Sequence, residues 1–489
     1  MSNILDKIIT HKRTEVDERI KSQPLAMINE NLKESDRSLY SSIYEKSVNN
    51  NQPSYILECK KASPSKGLIN KTFDLKNIIS IYDKYASGIS VLTDSHFFQG
   101  NFQYLKQAKE LTDLPILCKD FFIDIYQVYE ARYFGADAIL LMLSVLDDDT
   151  YKNLAKIATE LSLDILTEVH DEQELDRAIE LGAKIIGINN RNLKDLSISL
   201  STTELLAQKI QHLRESNPKT LLISESGISS HCDVNQLSNI VDGFLVGSHL
   251  MASKNLHQSC KKLLFGNVKI CGLTRIEDIQ NTNTFGAAFA GLIFYKKSKR
   301  AIDLATAISI TKDIDLNYVG VFVNEDLDVV ADIANRLKLF AIQLHGQEDE
   351  HYILNLKKSL PNTQIWKALP VDETTTKQIL AKQINNCSAD MILLDTRLSD
   401  FGGTGEIFDW EILKDLDSVL NNNPNNNKNL NTNIILAGGL SVENIVRAKN
   451  CGCHIMDVNS GIEISPGIKS KTKMKRLFDE IASRNENDE

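Results

Sequence analysis

The segment SYILECKK carries Glu58 and Lys60 two residues apart in an otherwise apolar run. On an extended strand, positions i and i+2 share one face, so both charges point the same way. Other apolar runs also end in polar groups: Lys119 after PILC, Glu168 after DILT, and Asn189 with Arg191 after IIGI. Ammonium groups gathered beside carboxylates form a proton-transfer set, with acids to protonate an oxygen and bases to remove protons. One such residue is as easily a solvated strand-end charge, because charges avoid burial unless paired. A set of them at corresponding strand ends is harder to explain that way.

The second half of the chain carries a different pair. Cys271 closes the run VKIC on the same face as Lys269, and Asp395 closes the run MILLD. Most free cysteines are small buried hydrophobes. The strand-end place of Cys271 and the Gly-Leu-Thr turn after it favour a chemical role. A thiol acts as a base only when ionised, and an unperturbed one has a pKa of about 8.5. Asp395 is either a loop cap or a carboxylate delivered to a pocket. Both halves then repeat one device late in their length. SESGIS and VGSHLM place Gly227 and Gly247, while LAGGL and DVNSGIE place Gly438, Gly439, Ser460 and Gly461. Glycine lets the backbone approach a ligand closely, and free N–H groups at a following helix start favour an anion.

A regular frame must hold these groups. Strand-like runs in the first half are 55–60, 89–92, 115–119, 138–142, 164–169, 185–189, 221–224 and 243–246. Amphipathic stretches such as 125–134 and 173–181 lie between them. Buried strands alternating with helices indicate a parallel sheet, and eight such units indicate a closed barrel. The pattern then restarts with runs at 268–271, 290–294, 318–322, 341–344, 364–368, 391–395, 434–437 and 455–458. The fold class is therefore α/β, with two sequential (β/α)8 TIM barrels. In such barrels the chemistry sits at the C-terminal strand ends, with a phosphate site after strands seven and eight. The break falls near Phe265–Gly266. The expected domains are 1–264, with an N-terminal helical extension packed on the barrel through Ile4, Leu5, Ile8, Ile9, Val16 and Ile20, and 267–489.

Composition narrows the function. A chain of 489 residues fits two barrels of about 250 each. With 55 basic and 65 acidic residues the net charge is −10, which disfavours nucleic-acid binding and leaves any anion to local donors. No apolar run approaches the roughly 18 residues of a membrane span, and the N-terminus lacks a signal peptide's apolar core. The 8 cysteines are scattered, as in a reducing cytoplasm. Cys451, Cys453 and His454 have the wrong spacing for a zinc site and read as a helix end; no metal or other cofactor is expected. The Asn-rich stretch 421–433 reads as a surface insertion.

ILECKKASPSKG, SVLTD, FFQG, LCKDF, LTEVH, IGINNRNL and SESGI together resemble the indole-3-glycerol-phosphate synthase family, in its order. The resemblance implies a metal-free barrel that converts a carboxyphenylamino-deoxyribulose phosphate to indole glycerol phosphate, with loss of carbon dioxide and water. It implies that Lys119 is the general acid, its pKa lowered by burial or a neighbouring cation. Lys60 would hold the anthranilate carboxylate and assist dehydration; the split of acid–base work between the two lysines stays open. Glu168 would be a base or proton shuttle, and Glu58 would orient substrate. Asn189, Arg191, Glu225 and Ser226 would complete the wall, with Ser63, Gly227, Gly247 and Ser248 on the phosphate side.

KICGLTR, QLHG, LLDT, GGTG with FDW, LAGGL and DVNSGIE resemble the phosphoribosylanthranilate isomerase family over about residues 267–475. The resemblance implies an Amadori rearrangement with Asp395 as acid and Cys271 as base. Arg300 would bind the anthranilate carboxylate and His345 would line the pocket, with Gly438, Gly439, Ser460 and Gly461 holding phosphate. The chain reads Ser298-Lys299-Arg300 where the family often has Ser-Pro-Arg, and Glu406 and Asn459 also vary from common forms.

The expectation is a bifunctional cytoplasmic enzyme of tryptophan biosynthesis acting on small phosphorylated substrates, for which a monomer would suffice. Two alternatives compete with it. Another pair of sugar-phosphate barrel enzymes would be expected to carry paired aspartates at strand ends. A phosphate-ligand sensor would keep the glycine turns and lose the acid–base groups.

Overall fold

The computed structural model of the chain describes residues 4–30, 32–192, 196–216, 220–396, 407–414, 416–420 and 433–484. Residues 421–432 of the Asn-rich stretch, GGTG and Glu406 lie outside the described residues.

The first barrel closes from β1 (Ser54–Cys59), β2 (Gly88–Leu92), β3 (Ile116–Lys119), β4 (Ala138–Met142), β5 (Asp164–Val169), β6 (Ile185–Asn189), β7 (Leu221–Glu225) and β8 (Gly243–Val246). Neighbours pair in parallel, and β1 meets β8 through Ser54↔Gly243 to Leu57↔Val246. The second closes from β9 (Asn267–Ile270), β10 (Phe289–Ile293), β11 (Asn317–Phe322), β12 (Ala341–Leu344), β13 (Gln364–Val371), β14 (Met391–Thr396), β15 (Ile434–Leu436) and β16 (Ile455–Val458). There β9 pairs with β16, placing Lys269 opposite Asp457.

The apolar runs become strands because both of their faces are covered. In the second barrel Phe289, Val319, Trp366, Leu393 and Ile435 pack together in one buried cluster, whereas Ile365, Ile392 and Leu394 belong to another. In the first barrel Leu39 and Ile43, from the short helix Leu39–Tyr44, pack among Ile56, Leu117, Leu166 and Ile223. Burying one such side chain contributes roughly 1.5–3 kcal/mol.

Strand ends differ by a residue or two from the expectation. β1 stops at Cys59, where its pairing with β2 ends at Cys59↔Val91, so Lys60 stands one residue beyond the strand. Cys271 likewise follows β9. β13 runs on to Val371 because it pairs with β14 as far as Val371↔Thr396.

The N-terminal helix α1 (Ile4–Ser22) buries Ile8 and Val16, and also Lys12 between them on the same stripe. The Lys12 ammonium lies 2.9 Å from Asp94 Oδ2, 2.8 Å from Asp120 Oδ1 and 2.8 Å from Glu15 Oε2. Burial works against its charge, but Asp120, Asp94 and Glu15 outweigh it and hold the pKa above the ordinary lysine value.

Contacts divide the chain into two compact units at Leu263/Leu264, and Ser483 and Arg484 return to the first unit. Arg484 donates from Nη2 to the carbonyl of Val241 at 3.0 Å. Among the described residues, no helix is long and apolar enough to cross a membrane. Cys451 sits at the end of the helix Ile445–Asn450.

Candidate active sites

In the first barrel the C-terminal strand ends surround a cavity of about 290 Å³. Glu58, Lys60, Lys119, Glu168, Asn189, Arg191, Glu225, Ser226, Gly227, Gly247 and Ser248 all line it. Lys119 ends β3 and donates to Glu225 Oε2 at 2.6 Å, with Glu168 Oε2 at 3.8 Å. Asn189 donates to Glu168 Oε1 at 3.0 Å and fixes that carboxylate. Lys60 Nζ lies 2.5 Å from Glu58 Oε1 and 3.5 Å from Ser248 Oγ. Gly247 makes this arrangement possible, because a methyl group there would collide with the Glu58 carboxylate. Ser63 does not line this cavity; it borders an adjoining pocket with Ile4, Leu5, Ile8, Lys60 and Ser248.

The turn after β7 is held in an unusual backbone state. Ser226 has φ +64° and Gly227 φ +88°, consecutive left-handed residues, the first of them non-glycine. Buried Asn190 stabilises the turn by donating to the carbonyls of Glu225 and Ser226, each at 3.0 Å. After β8, Gly247 begins the four-residue helix Ser248–Met251 and has no side chain with which to cap its first N–H groups. Free N–H groups near a helix start suit a phosphate oxygen.

The electrostatics of Lys119 correct the expectation of a lowered pKa. Burial does oppose the charge, but Glu225, Glu168 and Glu58 surround the ammonium and push its pKa well above the ordinary value. Burial pushes the Glu225 carboxyl up; Lys119 opposes this, and the like charges of Glu168 and Glu58 add to it. Lys66, Asp120 and His249 also line the cavity without having been singled out from sequence. All three lie within segments quoted above, Lys66 in ASPSKG, Asp120 in LCKDF and His249 in VGSHLM, beside the residues that were selected.

In the second barrel a smaller cavity of about 80 Å³ is lined by Cys271, Arg300, His345, Asp395, Gly438, Gly439 and Ser460. Gly461 does not line it and instead bridges to Ser441 behind the turn. Asp395, on β14, has His345 Nε2 3.4 Å from its Oδ2. Arg300 makes two hydrogen bonds to Glu463, Nε to Oε1 at 2.9 Å and Nη2 to Oε2 at 2.8 Å. The turn before Arg300 forms without the family's proline: Ala301 N donates to the Ser298 carbonyl at 3.1 Å and Arg300 N to Ser298 Oγ at 3.2 Å. Cys271 is buried, which pushes its thiol pKa up; Lys269 opposes that rise and Asp457 reinforces it. Glu463, Lys469, Asp457 and Asn459 were not selected from sequence, although DVNSGIE contains three of them.

Closed parallel barrels with acid–base groups and glycine turns at their C-terminal strand ends define the phosphate-binding class of (β/α)8 enzymes. Residues 5–263 match the indole-3-glycerol phosphate synthase family, and residues 268–480 match the N-(5'phosphoribosyl)anthranilate (PRA) isomerase family. The chain belongs to these two families, one after the other along its length. It is 46% identical over 484 residues to a "Tryptophan biosynthesis protein TrpCF" of Vibrio parahaemolyticus, covering 98% of this chain and 94% of that protein. A protein of the same name from Buchnera aphidicola subsp. Diuraphis noxia is 45% identical, with 98% of each chain covered. Among solved structures, phosphoribosyl anthranilate isomerase from Thermus thermophilus is 27% identical, covering 44% of this chain and 98% of that one at a TM-score of 0.38.

Proposed function

We propose the following division of labour for this bifunctional enzyme of tryptophan biosynthesis. The functional domains are 1–264 and 267–489. The second isomerises N-(5-phosphoribosyl)anthranilate. Asp395 protonates the furanose ring oxygen as the ring opens to an iminium. The Cys271 thiolate then takes the C2′ proton, and the resulting enaminol becomes the 2′-ketone, 1-(2-carboxyphenylamino)-1-deoxyribulose 5-phosphate. Arg300 holds the anthranilate carboxylate and His345 borders Asp395. Gly438, Gly439 and Ser460 face the phosphate, with Gly461 supporting them from behind.

The first domain consumes that product. Lys119 protonates the C2′ carbonyl oxygen as the ring carbon bearing the carboxylate attacks. Carbon dioxide leaves, restoring aromatic electrons, and the C2′ hydroxyl then departs as water to give indole-3-glycerol phosphate. Lys60 binds the anthranilate carboxylate and Glu168 relays protons, oriented by Asn189. Glu58, Arg191, Glu225 and Ser226 shape the wall, while Gly227, Gly247 and Ser248 face the phosphate and Ser63 borders Lys60. The carboxylates around Lys119 keep it protonated, the form in which a general acid begins its step.

The observation that carries this reading is the gathering of each family's acid and base groups around one cavity at the C-terminal strand ends of its own barrel. Because each barrel holds its own set, the reading includes a chain that works as a monomer on small phosphorylated molecules, in the cytoplasm. Its test is an assay of the purified chain with phosphoribosylanthranilate alone, followed by fluorescence and mass. Indole glycerol phosphate should form without added enzyme. Accumulation of the carboxyphenylamino intermediate would remove the first domain's role, and no consumption would remove the second's.

A further inference from the structure

Lys269 is an unusual residue to find inside a barrel. It is fully buried on β9, where water cannot solvate its ammonium. Its Nζ donates to Asp457 Oδ2 at 2.6 Å, directly across the β9–β16 pairing. A buried ion pair is rarely a better stabiliser than apolar side chains of the same volume, so packing alone does not account for it.

The sulfur of Cys271 is a further neighbour of Lys269. The two side chains leave the chain on the same side, two residues apart, and β10 makes room for both. A methyl group at Gly291 would stand 2.7 Å from Cys271 Sγ and 3.1 Å from Lys269 Cε. One glycine therefore keeps open the space in which the two side chains meet. Asp457, Lys469 and Arg300 also act on the sulfur. Arg300 and Lys469 are both engaged by Glu463, at 2.8 Å and 2.9 Å. Lys269 differs from them in standing two residues before the cysteine and sharing its pocket over Gly291.

We propose that Lys269 is a positioning residue for the isomerisation: locked in place by Asp457, its ammonium favours formation of the Cys271 thiolate that removes the C2′ proton. The pair supplies a cation in a dry place where a free thiol would otherwise stay protonated. Asp457 fixes where that cation sits and partly offsets it. The inference rests on the base role proposed above for Cys271.

The test is the pH dependence of iodoacetamide labelling at Cys271 in the full-length chain, read from the mass of the peptide that contains it. In Lys269→Met the midpoint should rise by about one unit, so labelling at neutral pH falls about tenfold. The acidic limb of isomerase kcat/KM should move the same way. In Asp457→Asn the midpoint should move down. A wild-type circular dichroism spectrum of the full-length variant reports that the second barrel, which holds both residues, is folded. An unchanged midpoint in Lys269→Met overturns the proposal. If that variant does not fold, Asp457→Asn decides alone, and a midpoint that stays or rises overturns it. Isomerisation persisting in Cys271→Ala would instead remove the base role, an outcome distinct from any labelling result.

Discussion

Lys12 Nζ stands 2.8 Å from Asp120 Oδ1, so a helix at the start of the chain grips the residue that follows Lys119. Thr93 Oγ1 holds the other oxygen of Asp120 at 2.8 Å, and Asp94, the lysine's second partner, caps the helix Ser95–Phe98. The loops after β2 and β3 are thus tied to α1 through one buried cation. Lys12→Met would leave two buried carboxylates without their counter-charge. The expected cost is about 3–5 kcal/mol in urea unfolding of the first unit. Ring closure should fall while isomerisation persists. A variant with wild-type stability would show that the cluster is hydrated instead.

The two chemistries should separate cleanly by substitution. Lys119→Met should lower ring closure by at least about 10²-fold and leave isomerisation unchanged. Cys271→Ala and Asp395→Asn should each stop isomerisation alone. Paired assays with each domain's own substrate check this, and loss of both activities in a folded Lys119 variant would refute independent sites.

Glu463 should matter to substrate binding in the isomerase without touching substrate. It occupies the Nε edge of Arg300 and leaves Nη1 for an incoming carboxylate. Burial works against the ionised Glu463 carboxylate, but Arg300 and Lys469 outweigh it and hold its pKa below the ordinary value. A lowered carboxyl pKa contributes stability that is present above the unfolded value and lost as pH falls through the folded one. Glu463→Gln should therefore blunt the acid lability of the second unit. It should also raise the isomerase KM on the order of tenfold, the effect of losing a charge-assisted hydrogen bond. A fall in kcat at constant KM would assign Glu463 to the chemistry instead.

Glu130 gives a pH signature of the opposite sign. Burial pushes its carboxyl from the ordinary 4.5 up to about 7, with Arg19 opposing. Between those values the folded state holds a proton that the unfolded chain has released, so stability falls as pH rises through this window. Glu130→Gln should flatten that slope, removing a penalty of roughly 3 kcal/mol at most above it. Urea unfolding of both proteins across the window measures the difference, and parallel slopes would count against a buried, protonated Glu130.

Much of this molecule is legible in its sequence. Apolar runs of strand length, separated by amphipathic stretches, mark all sixteen barrel strands to within a few residues, because each must bury both faces. The polar residues that interrupt or end those runs stand out for the same reason: Glu58, Lys119, Glu168, Cys271 and Asp395 are costly where they are unless they have partners. Lys12 is not legible in this way. In THKRTEVDER its spacing of four from Ile8 and from Val16 puts it on the packing stripe, but its partners Asp94 and Asp120 show only once the barrel has folded. Asp457 and Glu463 are equally silent as sequence, since their partners Lys269 and Arg300 lie 188 and 163 residues away.

Local periodicity and family motifs, then, determine the two barrels, their order and the residues that end their strands. Barrel closure decides who faces whom. It brings β1 against β8 and β9 against β16, and turns strand ends from distant parts of the chain into one wall. The surroundings of Lys119 show the consequence. Its sequence neighbours say nothing of Glu168 and Glu225, yet their charges oppose the effect of burial and raise its pKa. Coulomb energy depends on distance in space and on the exclusion of water, and both are set by the closed fold.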